Sequence, residues 1–114
     1  MRAILIDAYN TQIREVDIDE ENLLPSMYAQ LKCSTFECAM MMEGGETLYV
    51  DEEGLLNGTQ VAFEFEGGHQ PFMGNGLILG TNEEGESVDT KLTAEGVSKQ
   101  VTFTSRKALR TEYA

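Results

Sequence analysis

Two cysteines and one histidine are the side chains best suited to chemistry in this chain. Cys33 and Cys38 form a C-x4-C pair, and His69 lies 31 positions beyond Cys38. A structural zinc ion takes about four thiolate or imidazole ligands, often as C-x2-C pairs. Three such side chains at this spacing do not supply that set. A nucleophilic Cys–His pair needs His69 beside one of the thiols in space. His69 sits in Gly68-His69-Gln70-Pro71, which reads as a flexible stretch. Cys38 falls on the apolar face of an expected strand and reads as core, the usual place of a free cysteine. Cys33 follows an expected helix and reads as accessible.

Carboxylates are the second candidate. The chain carries 20 Asp and Glu against 8 Lys and Arg, a formal net charge of −12. Two carboxylates flanking a sugar bond would suit glycoside hydrolysis. Tryptophan is absent and the other aromatics fall at core-facing positions, so no aromatic-lined cleft is expected. Asp51-Glu52-Glu53-Gly54 and Asn82-Glu83-Glu84-Gly85-Glu86 look like fragments of calcium loops. Neither follows the D-x-[DN]-x-[DN]-G pattern with its terminal Glu, and both read as acidic turns. Gly74-Asn75-Gly76 precedes a strand, not a helix, so it reads as a tight turn and not as a phosphate loop.

The distribution of charge is more informative than its sum. No Lys or Arg occurs between Lys32 and Lys91, an interval of 58 residues that holds 12 acids. Residues 1–90 carry a net charge of −15 and residues 91–114 a net +3. Duplex DNA binds proteins that neutralise its phosphates, and anionic membranes attract basic segments. A body of this sign is repelled by both and attracted to basic protein surfaces. The plainer reading is that the acids keep a small protein soluble.

The elements that must position these groups follow from length and periodicity. A chain of 114 residues, 41% of them hydrophobic, fits one domain with one core. No apolar run approaches the ~18 residues of a membrane span. The apolar stretch after Met1 is too short for a signal-peptide core. The expected location is therefore the cytoplasm. Two cysteines are too few for a disulfide framework.

Residues 2–7 form a nearly continuous apolar run, expected as a strand covered on both faces. Residues 12–18 pair with it as a hairpin. Residues 22–32 read as the main helix, with Asn22 as its cap and Leu23, Leu24, Met27, Tyr28 and Leu31 on one face. Residues 35–42 and 47–51 read as further strands. Phe36, Cys38, Met40 and Met42 should share one face, and the methionine run suggests burial on both. Glu43-Gly44-Gly45-Glu46 and Asn57-Gly58 read as turns, the latter of type I′. Val61, Phe63 and Phe65 alternate inward with Glu64 and Glu66, which would guard an edge strand. Residues 67–76 read as loop, 77–79 as a short buried strand, and 101–104 as the last strand. Thr93 caps a possible short second helix near 93–99. The expected fold is α+β, a curved and largely antiparallel sheet of about six or seven short strands with helix 22–32 packed on it. Residues 1–104 form a single domain, and 105–114 a short basic tail.

Four segments together carry a family resemblance. They are Arg2-Ala3-Ile4-Leu5-Ile6-Asp7, Ile13-Arg14-Glu15-Val16, the block from Thr47 through Tyr49-Val50-Asp51-Glu52-Glu53-Gly54 to Asn57-Gly58, and the block from Gly74-Asn75-Gly76 to Glu83-Glu84-Gly85-Glu86. The chain resembles a family of small proteins of phages, plasmids and their bacterial hosts. The resemblance covers most of residues 2–89 and implies a mobile-element accessory protein. It brings no catalytic or ligand-binding residues with it.

The expected function is that of a non-enzymatic acidic interaction protein, with no cofactor and no metal. Asp51, Glu52, Glu53, Glu64, Glu66, Glu83, Glu84 and Glu86 would meet a basic surface of a host protein, as a mimic of nucleic-acid phosphates that inhibits a defence nuclease. The alternative is a small-molecule or metabolite-binding module using the glycine-rich loop 67–76 around His69 and Phe72. An enzyme using Cys33, Cys38 or His69 is the third reading.

Overall fold

Ala3-Ile4-Leu5-Ile6 is apolar at every position, so its strand needs cover on both faces. The computed structural model describes residues 1–113 and provides that cover. Strand β1 (Arg2–Asp7) turns back into β2 (Gln12–Asp17), with Ala3, Ile4, Leu5 and Ile6 all at most 1% exposed. A short 3-10 turn (Glu20–Asn22) leads into helix α1 (Leu23–Leu31), then β3 (Phe36–Met42) and β4 (Glu46–Asp51). The chain continues through β5 (Val61–Phe65), β6 (Phe72–Met73), β7 (Gly76–Thr81) and β8 (Ser87–Val88). It ends in α2 (Ala94–Ser98), β9 (Val101–Ser105) and α3 (Arg106–Tyr113). Among the described residues no helix is long and apolar enough to cross a membrane.

The α+β class and the antiparallel pairing are as expected, but the strands divide between two sheets. The larger runs β2-β1-β7-β4-β3, with β8 paired to the end of β7. The smaller runs β6-β5-β9. Every pairing is antiparallel. Alternation then sorts the core into two layers. Ala3, Leu5, Leu77 and Leu79 meet Ile18, Met27 and Leu31 beneath α1. Ile4, Ile6, Leu48, Val50 and Ile78 meet Phe63 and Phe65 of the small sheet and Val97 of α2. Each fully buried aliphatic or aromatic side chain contributes roughly 1.5–3 kcal/mol, so both faces of the large sheet are stabilised.

Several local expectations change. Asn22 makes no side-chain capping bond; Asp19 instead accepts from the Glu21 amide and starts the 3-10 turn. Leu24 is 53% exposed; Met27 and Leu31 are the buried residues of α1, and Leu23 packs against the same layer. A bulge between Cys38 and Met40 breaks the period of two in β3. Phe36 therefore packs in the α1 layer, whereas Met40 and Met42 pack in the small-sheet layer. β3 is an edge strand, so Cys38 is exposed and Met41 is 78% exposed; neither belongs to a doubly buried strand. β5 is the centre of its sheet, so Glu64 and Glu66 do not guard an edge.

Glu46 belongs to a strand, not a turn, and is 3% exposed. Its Oε1 accepts 2.6 Å bonds from the Thr90 hydroxyl and the Lys91 amide. Asn57 lacks the positive φ that a type I′ turn needs, and β4 and β5 lie in different sheets. Its side chain organises the turn instead, donating to Asp51 Oδ2 and accepting from the Thr59 amide. Loop 67–76 includes β6 and runs into β7. Within it Asn75 is buried: Oδ1 accepts from the Ala8 amide and Nδ2 donates to the Gln30 carbonyl, tying α1 to the β1–β2 turn. Asp7, the residue before Ala8, is buried as well. Burial disfavours its charge, but bonds from the Asn10 side chain and amide and from Arg14 outweigh that and hold its carboxyl below the usual range.

The two sheets approach closely at Gly76. A Cβ there would stand 2.6 Å from the Phe63 ring and 3.0 Å from Leu48 Cδ1, both side chains fully buried. Gly76→Ala should lower stability by about 1–3 kcal/mol, the usual cost of overpacking. Urea unfolding would show it as a lower midpoint, and an unchanged midpoint would mean that the sheets can separate at little cost.

Candidate interaction surface

Charge is sorted across the large sheet. The interval without Lys or Arg folds into β3, β4, β5, β6, β7 and β8. Two of the cations that precede it lie on β1 and β2 and are already engaged. Arg2 pairs with Glu15, and Arg14 with Asp7 at 2.8 Å. Lys32 stands 5.0 Å above the Tyr9 ring. After the interval, Arg106 donates to the carbonyls of Gly54, Leu55 and Thr59. The β4–β3 half of the sheet thus presents acids with no cation of its own.

The eight carboxylates expected at an interface form three groups. Asp51 ends β4, and its Oδ1 accepts from the Glu53 amide at 2.9 Å, holding exposed Glu52 and Glu53 in the following turn. Glu83, Glu84 and Glu86 are exposed in the turn from β7 to β8. Asn82 Oδ1 builds that turn by accepting from the amides of Glu84 and Glu86. The two groups lie at opposite ends of β4, because Glu46 pairs with Gly80 and Val50 with Gly76. Six strand residues separate them by about 17 Å. Glu64 and Glu66 lie on the small sheet and line a polar hollow of about 510 Å³ with His69, Lys99 and Gln100. The acids flank the sheet; they do not converge on a single patch.

Glu37 and Glu43 are exposed at the β3 edge and were not among the expected contact residues. Their signal in the sequence was membership of the cation-free interval. Glu43 joins the Glu83 group, since its turn is bonded to β7 through the Thr81 amide and the Gly45 carbonyl.

The reactive side chains are kept apart. Cys33 packs in the α1 layer, and Cys38 lies opposite Tyr49, whose ring is in that same layer. His69 is on the other side of the sheet, between the polar hollow and a second one of about 320 Å³ lined by Met40, Met41 and Phe72. The sheet therefore separates the imidazole from both thiols. Burial, reinforced by the charge of Asp51, pushes the Cys33 thiol up to about 11. Among the described residues no three His, Cys, Asp or Glu side chains are grouped to hold a metal ion.

Fold and surface together define a two-sheet α+β protein with three separate acidic groups. The chain belongs to the family described as a domain of unknown function, DUF3846, which matches residues 1–102. No curated protein and no solved structure shows a significant match to the chain.

Thiol labelling checks the two cysteine environments. At pH 8 the raised pKa makes Cys33 thiolate on the order of a hundredfold scarcer than that of an ordinary cysteine. Exposed Cys38 should take iodoacetamide first, with Cys33 catching up only as the pH nears 11. Equal rates at pH 8, read by mass spectrometry of the peptides, would contradict this arrangement.

Proposed function

We propose that this protein is a non-enzymatic interaction protein whose acidic flank docks on a basic surface of another macromolecule. The observation that carries this reading is the contiguous β3–β4–β7 half-sheet built from 58 residues without a Lys or Arg. Arg2, Arg14, Lys32 and Arg106 are committed to ion pairs, a ring face or backbone carbonyls. Such a flank attracts basic grooves over a screening distance of about 8 Å at physiological salt. The basic surface of greatest interest is the nucleic-acid groove of a host nuclease, where spaced carboxylates stand in for phosphates. In this reading the protein is an accessory of a mobile element and acts in the host cytoplasm. Three separate acidic groups suit a long groove better than a point contact.

A second reading rests on the polar hollow beside loop 67–76. Its size, about 510 Å³, is within the range of small-molecule sites. His69 and Lys99 would contact a polar metabolite there, beside the carboxylates of Glu64 and Glu66. A thermal-shift series with nucleotides decides this reading: one that raises the midpoint by several degrees supports it, and a flat series removes it.

For the first reading, the triple variant Glu83→Lys, Glu84→Lys and Glu86→Lys should reduce capture of basic host proteins at least about tenfold. Capture by the unaltered chain should fall steeply as salt rises from low to physiological levels. Undiminished capture by the triple variant would remove that turn from the interface, and salt-independent capture would overturn the reading.

A further inference from the structure

We infer that the outer edge of β3 is a strand-addition site for a basic, extended peptide segment of a partner protein. The inference deepens the proposed function by naming where the partner docks and in what conformation. The large sheet has two edge strands, and they differ in protection. β2 (Gln12–Asp17) carries charges of both signs, with Arg14 turned to Asp7. β3 reads Phe36-Glu37-Cys38-Ala39-Met40-Met41-Met42, with no Lys, Arg or Pro to discourage another strand. Among the described residues its backbone pairs with β4 and with nothing on its other side. An unpaired row of amide and carbonyl groups is a template for a further strand.

Two more features point to a partner. Met41 stands 78% exposed on this edge. Beside it, the hollow of about 320 Å³ has Ala39, Met40 and Phe72 on its walls, room for an alternate side chain of an added strand. The bulge at Ala39 turns Met40 toward that hollow and leaves residues 40–42 as the straight stretch beside it. Methionine is adaptable and suits a surface that must accept varied side chains.

Charge selects the occupant. Glu37 and Glu43 flank the edge, and no cation occurs from residue 33 to residue 90. A second copy would bring those glutamates and two charges of −12 together. A segment with Lys or Arg near its ends and apolar side chains between them meets the glutamates and fills the hollow at the same time.

The test is selection of a phage-displayed random dodecapeptide library on the intact protein, followed by hydrogen exchange and sedimentation. Enriched peptides should be rich in Lys and Arg with interspersed apolar residues, and free of proline. Their binding should slow exchange of the outward-facing amides among residues 40–42 at least tenfold, and Met41→Asp should weaken it at least tenfold while unfolding as the unaltered chain does. Basic peptides that bind but leave β3 exchange unchanged would overturn the strand site and leave the acidic-flank reading standing. Strand-adding peptides without basic bias would overturn both. No enrichment, or a dimer formed through β3 in sedimentation, would also overturn the site.

Discussion

The contact between the Phe63 ring and the bare backbone of Gly76 is the constraint on which the rest of the molecule depends. β7 is the middle of the large sheet and carries neighbours on both edges. On one face it offers Leu77 and Leu79 to the α1 layer; on the other it offers Gly76, Ile78 and Gly80. Because Gly76 has no side chain, the small sheet sits down onto β7 and excludes water from Leu48 and Val50. At the other end of the strand Gly80 instead admits the chain leaving β8, where a Cβ would stand 2.5 Å from the Asp89 carbonyl. Interiors pack near crystal density, so these two absences shape the layer as much as the side chains around them.

This packing also decides where charge can go. With both faces of the large sheet covered, polar groups are confined to its edges and ends. Buried polar groups are held by hydrogen bonds, Asp7 by Asn10 and Arg14, Glu46 Oε1 by Thr90 and Lys91, and Asn75 by Ala8 and Gln30, whereas Glu46 Oε2 and Thr35 Oγ1 are buried without a partner. The cations of β1, β2 and Arg106 are used to hold structure. What remains for solvent on the β3 side is carboxylate. The acidic character of that edge follows from a cation-free sequence interval that supplies β3, β4 and β7.

Edge strands are ordinarily protected because their free backbone groups recruit other chains. β3 keeps only its bulge and two flanking glutamates. Glutamates repel an acidic neighbour and attract a basic one, so the edge is selective by sign. Selectivity of this kind costs little stability, since the glutamates are exposed and their repulsion within the fold is screened.

Much of the architecture was legible in local pattern. Continuous apolar residues marked β1 as covered on both faces, and alternation marked β5. Spacing of Met27 and Leu31 marked α1, and Thr93 marked α2, where its hydroxyl accepts from the Gly96 amide as a cap should. The charge interval was also plain in the sequence, which by itself determined the acidic character of the flank. Local pattern failed wherever a partner lay far along the chain. A period of two cannot show the inserted Ala39, so Cys38 and Met40 seemed to share a face. Glu46 looked like a turn residue because Thr90 and Lys91, which receive it, are more than forty positions away. The division into two sheets, the open edge at β3 and the spacing of the acids around it were decided by tertiary pairing alone. Strand order depends on which edges meet in space, and residue periodicity records only which face of a strand is apolar.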